Sequence, residues 1–169
     1  AGYEVLVIPY RIDGERAQFC VFKRSDMEAW QFIAGGGEET DSSILDAAKR
    51  EAFEEAGIPA TSDYCKLDTC CSIPANCFQN AEALWGKECF VIPEYAFAVK
   101  AEKEAVRLSH EHTEYRWMTY AEARGALTYD SNKTALWELN QRIQLGMLKY
   151  PLSRQNSIHS QNICTCRSH

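Results

Sequence analysis

Hydrophobic and polar positions alternate first in short runs and then with a helical period, and that change divides the chain. Residues 3–10 (YEVLVIPY) and 17–24 (AQFCVFKR) are rich in β-branched and aromatic side chains. They are separated by Ile12, Asp13 and Gly14. Asp-Gly is a strong turn signal, so the pattern predicts an antiparallel hairpin. A third short strand fits residues 30–33. Gly35, Gly36 and Gly37 then interrupt the pattern, predicting a loop whose backbone can approach a ligand closely.

From Asp41 or Ser42, either a suitable N-cap, a helix is predicted to Ala56, closed by Gly57-Ile58-Pro59. Leu45, Ala48, Ala52 and Ala56 fall on one stripe at about 100° per residue, a face for packing on a sheet. Strand-like stretches follow at 65–72, 76–79, 89–99 and 115–118, with 81–87 read as a loop that leaves Trp85 exposed. Thr119 and Glu122 form a capping-box pattern opening a short helix to Leu127. Ser131 fits the cap of a longer helix to about Gly146, with Ala135, Leu136, Leu139 and Ile143 on its buried face. After Pro151 the chain turns polar and aperiodic. The expected organisation is one domain over 1–150 and a flexible C-terminal tail over 151–169. Strands, a helix, more strands and two helices predict an α/β fold, a mixed β-sheet with helices on both faces.

Composition narrows the function more than the fold. With 169 residues, 46% hydrophobic and 25% charged, the chain can bury a core of ordinary size. No stretch approaches the roughly 20 apolar residues of a membrane helix, and no basic region with an apolar core opens the chain, so the expectation is a cytoplasmic protein. A net charge of −6, from 24 acidic and 18 basic residues, argues against nucleic acid or an anionic membrane as a partner. The eight cysteines are scattered and read as reduced thiols. Cys70-Cys71 and Cys164-x-Cys166 with His169 lack the paired spacing of a structural zinc site.

One segment concentrates chemistry. In Arg50-Glu51-Ala52-Phe53-Glu54-Glu55 three carboxylates sit at i, i+3 and i+4 on one helical turn. Like charges so placed repel, and a cation would neutralise them; hard oxygen donors point to Mg²⁺ or Mn²⁺. The plain alternative is a solvated acidic face. The triple-glycine loop upstream, Arg50 beside the cluster and the abrupt stop at Gly57 favour a pocket.

Gly36, five residues, Ser42, seven residues, then Arg50-Glu51-Ala52-Phe53-Glu54-Glu55-Ala56-Gly57-Ile58 resembles the Nudix box, the signature of Nudix hydrolases. Ser42 stands where the family usually has Glu. The resemblance implies a Nudix-type α/β/α sandwich and a hydrolase that cleaves a phosphoric anhydride with divalent cations. It implies Glu51 and Glu55 as principal metal ligands, Glu54 as a further ligand or a residue positioning water, and Arg50 as the group holding these carboxylates. Gly36 belongs to the substrate-binding loop.

More weakly, residues 25–39, 108–118 and 128–139 resemble the branch containing dihydroneopterin triphosphate pyrophosphatase, also described as a dATP pyrophosphohydrolase. That resemblance carries Glu111 onto a metal-ligand position and Arg24 onto a phosphate contact, with a loop acid and a surface ion pair as alternatives. It places Ser131 against substrate, at a helix start whose free N–H groups suit an anion; a plain N-cap is the alternative. Trp30, Phe78, Trp85 and Tyr129 are candidates to stack on a base or pterin, Asn76 and Phe78 falling where the branch contacts substrate. His110 and His112 read as exposed loop residues without a role.

The expected activity is therefore metal-dependent hydrolysis of a small-molecule nucleoside triphosphate or pterin triphosphate to monophosphate and pyrophosphate. Alternatives are a dinucleoside polyphosphate or nucleotide-sugar hydrolase, or a nucleotide-binding sensor of reduced turnover. Homodimer formation is compatible with the sequence.

Overall fold

A computed structural model describes residues 2–101 and 106–148; the expected tail over 151–169 lies outside the described residues. Strands β1 (Glu4–Asp13) and β2 (Arg16–Arg24) form the predicted hairpin. They run further than their apolar cores, to the pair Asp13↔Arg16, so Gly14 and Glu15 make the turn, with Gly14 at φ 63°. Strands β3 (Trp30–Gln31) and β4 (Ile33–Gly36) follow. Gly35 and Gly36 are thus part of a strand rather than a loop, pairing antiparallel with Val5 and Glu4.

β5 (Asp63–Pro74), β6 (Val91–Lys100) and β7 (His112–Met118) complete one seven-stranded mixed sheet of order β3-β2-β1-β6-β5, with β4 on β1 and β7 on β2. β1 runs parallel to β6 and antiparallel to β2 and β4. Its two antiparallel partners divide its length: β4 takes residues 4–7 and β2 takes 10–13. The stretch expected as a strand at 76–79 instead begins in a 3₁₀ turn, Ala75–Cys77, after Pro74 ends β5. The segment read as a loop at 81–87 holds a short helix, α2 (Ala81–Trp85), whose Trp85 is half-buried against Phe78 and Gly2.

Helices α1 (Ile44–Ala56), α3 (Tyr120–Ala126) and α4 (Asp130–Leu145) cover the sheet. The α1 face is Ala47, Ala48, Ala52 and Ala56, all buried against Val5, Val7, Phe22 and Ile33. Small side chains let this helix lie close to the sheet. The opposite face packs Leu6, Ile8, Phe19, Val21 and Phe32 against Ala123, Ala135, Leu136 and Leu139. β1 is therefore buried on both faces, which explains why it reads as a continuous apolar run.

The helix ends follow local chemistry. The N-cap of α1 is Ser43, whose hydroxyl accepts from Asp46 N at 3.1 Å, not Asp41 or Ser42. Gly57 closes α1 at φ 69°, a left-handed position that costs other residues strain. The capping box of Thr119 and Glu122 opens α3 as expected. The N-cap of α4 is Tyr129, not Ser131, and it contributes no side-chain hydrogen bond. Ser43→Ala is expected to cost about 1 kcal/mol in urea denaturation, against less than about 0.5 for Ser42→Ala; equal costs would overturn the cap assignment.

Candidate active site

A cavity of about 700 Å³, large enough for a nucleotide, opens beside Glu4 of β1, Arg24 of β2, Gly35 of β4 and Glu94 of β6. Arg24, Phe78, Glu111 and Ser131 line it together with Gly35, whose α-carbon faces the Glu51 carboxyl. A Cβ at Gly35 would overlap that carboxyl, so only glycine lets α1 place Glu51 against β4 here. Gly36 lies beside the Phe78 ring, at 3.6 Å from where its Cβ would be.

The carboxylates of α1 are not equivalent. Glu51 and Glu55 are buried, 8% and 2% exposed, whereas Glu54 turns outward. Burial and the neighbouring Glu111 and Glu51 push the Glu55 carboxyl up to about 9. Its Oε2 is buried and has no hydrogen-bond partner among the described residues. Burial also raises Glu51, opposed by its hydrogen bond from Arg50.

Arg50 is the hub of the loop and helix. Its Nε and Nη2 donate to both oxygens of Asp41 at 3.1 and 2.9 Å, Nη2 to Gly36 O at 2.9 Å, and Nη1 to Glu51 at 2.7 Å and Glu54 at 3.2 Å. The bidentate Arg50 contact holds Asp41 well below the usual carboxylate range. Ser42 is exposed, and its side chain makes no hydrogen bond among the described residues. Asp41, one residue earlier, takes the arginine; the sequence offered it only as a cap.

His112 also departs from expectation. It lies in β7, only 5% exposed, stacked on Phe22 at 5.2 Å with Nδ1 3.7 Å from Glu55 Oε2. Burial lowers its pKa, so the ring is neutral near pH 7. His110 is exposed at the cavity mouth. Arg24 reaches the cavity wall but donates both Nε and Nη2 to Asp26, at 2.7 and 2.6 Å; a phosphate there would have to displace Asp26. Ser131 sits in the first turn of α4, whose leading N–H groups have no side-chain cap. Tyr129 lines the cavity, while Trp85 braces Phe78 at 5.4 Å; Trp30 packs against the α4-side core and Asn76 is exposed away from the lining. The wall also carries Glu4, Gln31, Glu94 and Asn132, none of which sequence reasoning singled out. A glutamate inside each of two apolar strands was the available signal.

A family model for the NUDIX domain matches residues 2–137. The chain belongs to the Nudix family. A Nudix hydrolase acts on phosphoric anhydrides, and the family generally uses divalent metal ions. A Listeria monocytogenes protein classed as a NUDIX hydrolase is 40% identical, covering 87% of this chain and 97% of its own, with a TM-score of 0.78. Escherichia coli dihydroneopterin triphosphate pyrophosphohydrolase is 21% identical over 82% and 95%, TM-score 0.66. A Caenorhabditis elegans Ap4A hydrolase is 19% identical over 85% and 98%, TM-score 0.66. The last two likenesses establish the Nudix fold alone. No curated protein sequence matches. No helix among the described residues is long and apolar enough to cross a membrane.

The donors at the Nudix helix suit a hard divalent cation: they are carboxylate oxygens, and the orphaned Oε2 of Glu55 is the group such an ion would satisfy. Among the described residues no group of three or more His, Cys, Asp or Glu side chains is placed so that it could hold a metal ion as it stands. Without the ion, the carboxyl of Glu55 keeps its proton. Between its ordinary value near 4.5 and about 9, the folded chain then binds more protons than the unfolded one, so stability falls as pH rises. In chelator, the melting temperature is expected to drop from about pH 5 to about pH 9, and Glu55→Gln to remove part of that slope; a flat profile would contradict the assignment. Asp41→Ala is expected to cost about 1–3 kcal/mol in the same urea assay, because it strips the bidentate partner from Arg50.

Proposed function

We propose that the protein is a divalent-cation-dependent pyrophosphohydrolase that converts a nucleoside triphosphate or pterin triphosphate to its monophosphate and pyrophosphate. The observation that carries this reading is the buried carboxyl of Glu55, whose Oε2 has no hydrogen-bond partner among the described residues, beside Glu51 and beside Glu111, which lines a nucleotide-sized cavity. Glu51, Glu55 and Glu111 would hold Mg²⁺ or Mn²⁺, with Glu54 as the outer member. Bound there, the cation supplies neutralisation of the phosphate oxygens and acidification of the attacking water.

The chain's own groups do the rest. Arg50 holds Glu51 and Glu54 and fastens the 36–41 backbone to the helix. Gly36 keeps the wall open beside Phe78. Arg24, once released from Asp26, offers a fork that matches a phosphate bidentately. Ser131 brings a helix N-terminus whose N–H groups and dipole favour an anion. Phe78 offers a flat face for a heterocycle. His112, neutral and beside Glu55, braces that carboxylate without adding charge.

Product analysis tests the proposal: pyrophosphate and phosphate release from nucleoside triphosphates, dihydroneopterin triphosphate, dinucleoside polyphosphates and nucleotide sugars, with Mg²⁺, Mn²⁺ or chelator. Metal-dependent pyrophosphate release from a triphosphate is expected, and mononucleotide formed only from a dinucleoside substrate would redirect the reading. Glu55→Gln is expected to lower kcat by at least about 100-fold with an unchanged circular dichroism spectrum. Near-normal turnover in that variant would sink the metal assignment.

A further inference from the structure

Two glutamates outside the Nudix helix face the same cavity. Glu4 on β1 and Glu94 on β6 are register partners on adjacent parallel strands. Glu4 alternates in step with Leu6 and Ile8, and Glu94 with Ala96 and Ala98, all four of which pack toward α3 and α4. The pair therefore lies on the face of the sheet opposite α1 and its carboxylates. Glu4 and Glu94 line the cavity together with Glu111, the acidic neighbour of Glu55.

Glu94 is only 5% exposed and faces Glu4 across the parallel register. Two carboxyls that face each other in a low-dielectric wall repel when both ionise, and sharing one proton relieves that repulsion. Burial first, and Glu94 second, push Glu4 up to about 9, in keeping with that sharing. The exchange of one proton satisfies only one oxygen of each group. Gln31, 8% exposed, also lines the cavity, and its side-chain amide has no partner among the described residues. A buried polar wall is costly unless its groups find hydrogen-bond partners, and at this wall both ring nitrogens of His112 are buried without one among the described residues.

We propose that the Glu4–Glu94 pair reads the heterocycle of the substrate and selects a 2-amino-4-oxopyrimidine edge, the edge shared by guanine and pterins. This rests on the triphosphate reading above and names the ring it takes. The edge presents an acceptor oxygen followed by a ring N–H and an amino group. The acid of the pair donates to the oxygen, and the carboxylate accepts from both N–H groups. Uracil and thymine place a second carbonyl where the carboxylate needs a donor, and so meet repulsion. Adenine offers one donor and one acceptor and leaves one carboxylate oxygen unfilled. Hypoxanthine keeps the oxygen and ring N–H but lacks the amino group. Phe78, braced by Trp85, supplies the stacking face beside the pair.

The experiment measures kcat/KM of the full chain with Mg²⁺ for GTP, ITP, ATP, UTP and dihydroneopterin triphosphate, and binding of the same compounds in Ca²⁺ by calorimetry. GTP or the pterin is expected to exceed ITP by about 10- to 100-fold, the range for a lost hydrogen bond to a charged group, and UTP by more. The ratio of GTP to the pterin identifies which source of the edge fits the cavity. Glu94→Gln, and separately Glu4→Gln, should bring the GTP-to-ITP ratio toward 1, each variant being checked by its melting temperature. If one variant fails to fold, the other carries the test. Turnover with equal kcat/KM for GTP, ITP and UTP would overturn this inference while leaving the pyrophosphohydrolase intact. No turnover of any triphosphate, together with a GTP-over-ITP binding preference that Glu94→Gln removes, would overturn the hydrolase reading and leave this one standing.

Discussion

Arg50 ties together the two pieces of chain that the site requires. Its guanidinium spans from the Gly36 carbonyl and Asp41, at the end of β4, to Glu51 and Glu54 on α1. Without that bridge, the buried carboxylate of Glu51 would lack the group that fixes its direction. A planar, permanently charged fork suits this task, because it can satisfy the loop on one edge and the helix on the other. Asp41 completes the arrangement from the position next to Ser42. The chain departs from the usual box at one residue, yet its arginine still has a bidentate acidic partner.

The rest of the site follows from the sheet. β1 is buried on both faces, with α1 on one and α3 and α4 on the other. Its antiparallel partner changes from β4 to β2 along its length. A ligand in the cavity meets Glu111, the neighbour of Glu55, together with Glu4 and Glu94 on the face of β1 and β6 turned away from α1. This accounts for an acidic chain whose cavity wall carries several buried polar groups, and for the rigidity of that wall: most of them stand on strands or helices rather than on loops.

Electrostatics sets the state of the cavity before any ligand arrives. Burial raises Glu55 and Glu4 to about 9 and lowers His112, so neutral forms prevail in each case. A divalent cation at the α1 carboxylates, as proposed above, would have to displace the Glu55 proton before the site received an anion. The same desolvation that destabilises the cation-free protein strengthens every charge interaction once the site is filled.

Much of this was legible along the chain because it is local. The hairpin, the α1 stripe, the Thr119 capping box and the spacing of Arg50, Glu51, Glu54 and Glu55 depend on neighbours a few residues apart, and periodicity reports such neighbours directly. The N-cap of α1, by contrast, was placed one or two residues early, since Asp41, Ser42 and Ser43 all suit a cap and only the path of the loop assigns Asp41 to Arg50. His112 read as an exposed loop residue because nothing local shows that β7 begins there and lies on β2. Glu4 and Glu94 are 90 positions apart, and their pairing exists only through the parallel register of β1 with β6. The sequence by itself determined the family, the acidic helix α1 and the apolar faces. Which polar side chains share the cavity was decided by the tertiary structure, because burial and strand register are properties of residues brought together from distant parts of the chain.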